Sequence, residues 1–340
     1  MSINFLQTRE WSDFWINANS DNHKTYHIEV PSLPSVSFIV YQYPWKFKQV
    51  WLYIPRLGSE FNIKENKTAE IVFQEIVKKI VEIGNSAVAT LAKIDFHPEF
   101  YNALNGQTEI TEYLSKISNQ QIVTSPRKIN YLSTILLNIA DIKLLENSNI
   151  ETITTDNLVK FFNDNTAFWS TTNQNIRRYT KKSLEQNWKI EVNSLNFEEW
   201  YEVHRATSER QKFATHSKYY LEQLYKQRFA TSIILKDQDN KTQAAWLGGI
   251  FGDTLVYLHG GNTEESFKKY GQYLVHLIAI YIAKIHNCKK YDLGGYEEEK
   301  GFSKFKSGYR GELITFPGAF DIVLKEPDYF LTRISQWLKR

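Results

Sequence analysis

Apolar residues recur along this chain at two spacings, three to four apart and two apart. Their alternation predicts a mixed α/β protein. Phe5, Leu6, Trp11, Phe14 and Trp15 sit at helical spacing around Thr8, which predicts a short amphipathic helix over 4–17. Positions 27–40 alternate and read as one or two strands, and the β-rich run VWLYI at 50–54 is expected to stop at Pro55. Ile71, Val72, Ile76, Ile80 and Ile83 mark one face of a helix over 69–83, with Gly84 as its expected stop. A buried strand over 87–94 then delivers Asp95 at its C-terminal end. Short helices over 99–105 and 109–116 follow, then a strand over 129–137 that continues or turns through 139–145.

From Thr155 the pattern changes. It predicts helices over 156–162 and 169–184, a strand over 189–192, and helices over 197–210, capped by Asn196, and 219–228. Three strands at 232–236, 244–251 and 254–259 form a meander with tight turns at 237–241 and 252–253. A helix over 273–286 leads into a strand at 290–293. The helix–helix–strand–strand–strand–helix–strand order of 197–293 is acyltransferase-like, and the first half repeats it loosely with no visible sequence repeat. A last strand, 319–324, is expected to return to the first half, followed by a helix over 329–339.

Composition narrows the class. With 340 residues, 42% hydrophobic and 23% charged, the chain is long enough for two domains or one large one. A net charge of +3 is too mild to argue nucleic-acid binding from bulk charge. Cys288 is the only cysteine, so there is no internal disulfide framework, and a reducing cytoplasm fits. The N-terminus lacks a signal-peptide pattern, and the most apolar window, 273–285, is too short to span a membrane and holds His276 and Lys284.

No GxGxxG, P-loop, HExxH or GxSxG motif is present, and the eight histidines have no metal-ligand spacing. Four candidate constellations remain, each with a plainer alternative. Arg177, Arg178, Lys181 and Lys182 place like charges four apart on one helix, either as a phosphate or RNA-backbone patch or as a solvated face. Arg210, after Thr207, ends a helix, where it could grip a diphosphate bidentately or complement the helix dipole. Asp95 lies at a strand end, where α/β sites form, but it could simply shape the turn. The sharpest is GFSKFKSGYRG, 301–311, in which glycines give backbone freedom and Lys306 beside Phe305 offers a cation and a stacking face. Its alternative is a glycine-rich hairpin with a solvated lysine.

The residues YDLGG at 291–295, GFSKFKSGY at 301–309 and FDIVL at 320–324 resemble the FemABX family of aminoacyl-tRNA-dependent peptidoglycan transferases. Thr207, Arg210 and the basic helix match in kind and order. The resemblance spans nearly the whole chain, weakly before residue 150. It implies two tandem GNAT-like domains, 1–154 plus 318–340 on the acceptor side and 155–317 carrying a catalytic loop. It also implies transfer of an amino acid from aminoacyl-tRNA to the stem-peptide amine of UDP-MurNAc-pentapeptide or lipid II. Such a protein works without a cofactor or metal, as a cytoplasmic monomer, in part at the inner membrane face. Residues 219–233 leave no room for the helical arm that some members insert, so the shorter, arm-less form is expected. By the same resemblance Lys306 stabilises the oxyanion, with Phe305 beside it and Asp95 near the acceptor amine. Arg210, Arg56, Tyr257 and Tyr309 bind substrate, and Arg177, Arg178, Lys181, Lys182 and Lys304 meet tRNA phosphate. The family's acceptor lysine shortly after the N-terminal Trp has no counterpart. Ser12, Asp13, Phe14 and Trp15 follow Trp11, leaving Arg56 or Lys46 to rebuild that grip. The rival readings are a GNAT-type N-acyltransferase using acyl-CoA and a non-catalytic binder of anionic glycopeptide or RNA. An Arg/Gln-x-x-Gly-x-Gly/Ala turn would favour CoA, but the corresponding stretch reads Lys268-Lys269-Tyr270-Gly271.

Overall fold

The computed structural model describes residues 4–19, 22–44, 49–59, 61–104 and 110–330. The chain divides into two units, 1–132 with 315–340, and 133–314.

The first unit opens with a 3-10 turn, Phe5–Gln7, and α1, Arg9–Asn17, whose cap Thr8 accepts from the Trp11 amide. Strands β1 (Lys24–Val30), β2 (Leu33–Pro44) and β3 (Val50–Leu57) follow, then α2 (Asn66–Ala87), β4 (Ala89–Phe96), α3 (Pro98–Ala103), α4 (Ile110–Ser118) and β5 (Ile122–Thr124). Two expected stops fail here for physical reasons. β3 runs through Pro55 because its register with β4 shifts between Ile54 and Leu57, so the missing proline N–H interrupts no ladder bond. Gly84 lies inside α2 rather than ending it. A Cβ there would come within 2.5 Å of Leu324, so the glycine admits a close neighbour, and left-handed Val88 stops the helix instead.

The second unit holds β6 (Ser133–Asn138), α5 (Thr155–Asp164), α6 (Thr166–Thr171), α7 (Gln174–Leu184), β7 (Lys189–Val192), α8 (Phe197–Gln211) and α9 (Lys218–Tyr225). It continues with β8 (Ala230–Lys236), β9 (Thr242–Phe251), β10 (Thr254–Asn262), α10 (Glu264–Lys268), α11 (Gly271–Ile285), β11 (Lys290–Gly295), α12 (Gly301–Ser307) and β12 (Glu312–Thr315). The helix expected over 169–184 is two helices. Thr172 is extended, and the Asn173 side chain caps α7. β6 is shorter than the strand expected over 129–137, and 139–145 does not extend it. Because β6 pairs with β11, the units divide before Ser133 rather than near 154.

Finally β13 (Ala319–Val323) returns to the first unit, antiparallel to β4 and β5. The first sheet has the order β1-β2-β3-β4-β13-β5, and the second β12-β6-β11-β10-β9-β8-β7. Both are mixed, with β3–β4 parallel in the first and β10–β11 parallel in the second. Helix α2 packs its Val72, Phe73, Ile76 and Ile80 face into the first core, and the almost wholly buried α11 is the centre of the second. These are the two mixed sheets flanked by helices that the sequence implied. Among the described residues no long helical arm is inserted, since α9 ends at Tyr225 and β8 begins at Ala230. None of the described helices is long and apolar enough to cross a membrane. Lys46 and most of the helix expected over 329–339 lie outside the described residues.

Candidate active site

The second unit's site forms where its parallel strands part. β10 and β11 pair only from Thr254 with Lys290 to Val256 with Asp292. Beyond that, the register of β10 with β9 shifts between Tyr257 and His259 and the strand continues to Asn262, while β11 bends toward β6. The bend needs Gly294, whose φ of +72° favours glycine and whose added Cβ would lie 2.9 Å from the Tyr257 carbonyl. Asp292 holds the bend by accepting from the Gly294 amide at 2.8 Å and from the Thr134 hydroxyl.

Into this fork α12 delivers Lys306. The segment expected to be a loop is a helix. Its Ser303 and Lys306, three apart, face inward, and the Ser303 hydroxyl accepts from the Glu297 amide. Glu297–Glu299 form an exposed turn just before it, where negative charge meets the helix N-terminus favourably. Lys306 is only 7% exposed. Its ammonium donates to the Gly295 carbonyl at 2.7 Å and lies 5.5 Å from the Tyr257 ring and 5.1 Å from the Phe302 ring. Burial lowers its pKa to about 8, with Asp292 opposing the shift.

An aromatic frame fixes the lysine's surroundings. The Trp246 indole N–H donates to the Tyr291 hydroxyl at 3.2 Å, which leaves the hydroxyl proton for His276 Nδ1 at 2.7 Å. His276 is therefore neutral. Burial, with Lys306 adding to it, lowers its pKa to about 3. The Phe305 ring packs 5.2 Å from His276 and 5.0 Å from Tyr273. Tyr257 stacks on Trp246 and is half-buried, but Tyr309 is 2% exposed, and its buried hydroxyl has no hydrogen-bond partner. The sequence signal for Tyr309 as a substrate contact thus falls on a core residue.

Arg210 is exposed at the end of α8 and donates to the Asn262 carbonyl at 2.7 Å, and Thr207 bonds the same residue. Together they pin the end of β10. Of the basic residues on α7, Arg177 is spent on structure, donating to the Trp169, Ser170 and Thr172 carbonyls at the end of α6. Arg178, Lys181 and Lys182 are exposed, as is Lys304 on α12.

In the first unit, Asp95 lies one residue before the end of β4 and is buried. It accepts from the Tyr53 hydroxyl, and Asn130 donates to both at 2.5 Å to Tyr53 and 3.4 Å to Asp95. Burial raises the Asp95 pKa, opposed by the Arg56 charge. Arg56, with a left-handed φ of +51°, covers the Phe316 ring at 3.3 Å and donates to the Tyr131 carbonyl. Sequence reasoning missed Tyr53 and Asn130, which lie far from Asp95 in the chain. It also missed that His204, His216 and His259 gather with ring centroids 5.4 and 5.8 Å apart. Both His204 nitrogens are engaged, by the Gly260 carbonyl and the Thr215 hydroxyl, and no metal-binding group of three forms among the described residues. A groove of about 670 Å³ beside Ser148, Lys160 and Tyr281 includes none of the candidate residues.

Fold and site together define an α/β protein of two mixed-sheet units, the second with a buried lysine at the fork of its parallel strands. More narrowly, the model of the FemAB family matches residues 225–336, the third of the chain that holds β8 to β13 and Lys306. No curated protein sequence matches the chain significantly. Among solved structures, FemX superposes with a TM-score of 0.70 at 14% identity, covering 96% of this chain and 94% of its own. The C-terminal domain (DUF2156) of a putative lysylphosphatidylglycerol synthetase from Agrobacterium fabrum gives 0.54 at 10% identity, with 96% and 93% covered. L-PGS from Bacillus licheniformis gives 0.52 at 9%, with 96% and 95% covered. At these identities the likeness is one of fold.

Proposed function

We propose that this chain transfers an amino acid from aminoacyl-tRNA to the stem-peptide amine of a peptidoglycan precursor, UDP-MurNAc-pentapeptide or lipid II. The observation that carries the reading is the Lys306 ammonium, buried at the fork of β10 and β11 with a pKa lowered to about 8. An aminoacyl ester is already activated, so the protein needs no covalent nucleophile. The acceptor nitrogen attacks the ester carbonyl carbon, and the oxyanion that develops is met by Lys306 in a site with little water. Collapse breaks the bond to the ribose oxygen, which takes the proton lost by the nitrogen. Phe305 walls the lysine. Asp95, kept buried by Tyr53 and Asn130, is the candidate partner of the acceptor amine, with Arg56 and Arg210 for anionic groups of the substrate.

The test is single-turnover transfer from charged tRNA to a UDP-muropeptide. Lys306→Ala, with the fold intact by circular dichroism, is expected to slow transfer about 10²- to 10³-fold. Near-normal turnover would remove Lys306 from the chemistry. Turnover with acyl-CoA in place of charged tRNA would favour the CoA-dependent rival.

A further inference from the structure

Helix α7 and the start of α11 build an exposed aromatic–cationic surface. Tyr179 and Tyr270 stack with centroids 4.5 Å apart and planes 12° from parallel. The Arg178 guanidinium lies 4.5 Å from the Tyr179 ring and donates to the Tyr179 hydroxyl at 2.6 Å, and the Lys182 ammonium lies 5.7 Å from the Tyr270 ring. Both cations are exposed, and among the described residues no carboxylate pairs with either. Tyr270 is held in place at some cost. It adopts a left-handed φ of +60° as the cap of α11 and makes no side-chain cap bond there. A bulky residue in that conformation, stacked and half-exposed, is unusual for a helix boundary, where glycine or asparagine would relieve the strain. The rings then lead inward. Tyr179 lies 5.3 Å from Tyr273, Tyr273 is 5.0 Å from Phe305, and Phe305 adjoins Lys306.

We propose that the Tyr179–Tyr270 pair, with Arg178 and Lys182, is the seat of a nucleobase at the single-stranded 3′ end of an RNA, its phosphates met by the two cations. The inference rests on the function proposed above and adds to it the two rings, Tyr179 and Tyr270, beside cations that the resemblance had already given to phosphate. Stacked aromatics flanked by cations are what single-stranded nucleic acid recognition requires: a π-face for the base and charge for the backbone. A phosphate-only patch needs no ring, whereas here both rings are fixed beside the charge.

The test is fluorescence anisotropy with a labelled RNA tetranucleotide ending in CCA, an abasic tetranucleotide of equal charge, and an acidic phosphate-free peptide. The wild type is expected to bind the base-bearing strand roughly 5- to 100-fold more tightly than the abasic one. Tyr179→Ala and Tyr270→Asn should erase that difference, and Tyr270→Asn suits the left-handed backbone, so the fold is kept. Tyr179→Phe and Tyr270→Phe should retain it. Arg178→Gln and Lys182→Gln should weaken both strands alike and flatten the salt dependence. Equal affinity for the abasic strand, equal or tighter binding of the acidic peptide, or wild-type binding by both ring-deleted variants would overturn the seat. Failure of the wider reading looks different. If the strand binds through the rings but charged tRNA is no donor, the function falls and the seat stands. If charged tRNA is a donor and the ring-deleted variants transfer with unchanged KM, the seat falls alone.

Discussion

The Lys306 ammonium donates to the Gly295 carbonyl at 2.7 Å, and this single bond ties α12 to the end of β11. Burial, rather than this bond, sets the lysine's titration and lowers its pKa from 10.5 to about 8. The protonated form is the one that can meet an oxyanion, so transfer is expected to fall as pH rises through about 8. A pH–rate profile of single-turnover transfer checks this. Lys306→Arg, if it turns over at all, should lose that alkaline limb, since guanidinium stays charged. Stability runs the other way. Between about 8 and 10.5 the unfolded chain holds the proton that the folded chain has lost, so this residue's contribution to stability rises with pH across that window.

His276 sets the acid side. Its pKa is about 3 in the fold against 6.5 for the ordinary group, so below pH 6.5 the unfolded chain binds a proton that the native chain refuses. Stability is expected to fall as pH drops from 6.5 toward 3, the window fixed by those two values. Urea unfolding at pH 7 and pH 5 measures the loss. His276→Gln should shrink the difference between the two pH values, and an unchanged difference would clear His276 of responsibility.

Lys93 and Asp321 face each other across β4 and β13 with side chains 0% and 1% exposed. Removing one partner strands a buried charge, so Asp321→Ala is expected to cost about 3–5 kcal/mol. The double variant Lys93→Met, Asp321→Leu removes both charges and should recover most of that loss. Equilibrium unfolding of the three proteins gives the comparison. Because β13 joins the first sheet through this register, the single variant should also expose amides of β4 and β5 to hydrogen exchange.

Gly294→Ala should cost about 1–2 kcal/mol from its left-handed backbone alone, with the close approach to the Tyr257 carbonyl added. The informative readout is transfer at a temperature where the variant stays folded. A rate loss beyond the stability loss would mean that the bend positions Lys306, and an unchanged rate would mean that it serves the fold only.

How much of this was written in the sequence depends on how local the cause is. The amphipathic face of α2, the Thr8 and Asn196 caps, and the meander β8–β10 follow from neighbours within a few residues, and local spacing exposes them. So does the presence of a cation beside an aromatic ring at Lys306 and Phe305. Three glycines in eleven residues signal irregular backbone, so the sequence predicts a loop over 301–307 where the structure has a helix. The burial of Ser303 and Lys306, which makes the segment a helix, comes from strands up to 50 residues away. Arg177 read as one of four phosphate-binding cations, yet the break before α7 turns it onto the carbonyls of α6.

The sequence by itself determined the alternation of helices and strands, the absence of an inserted arm, and the residue types that an activated ester requires. Only the tertiary structure decided which of those residues work together. Pairing of β3 with β4 brought Tyr53 to Asp95, the segment before β6 added Asn130, and stacking between α7 and the start of α11 joined Tyr179 to Tyr270. The parting of β10 from β11 made the fork in which burial lowers the pKa of Lys306. Local propensity acts over one or two helical turns, but desolvation and ring stacking depend on what the fold brings from elsewhere, which no run of neighbours encodes.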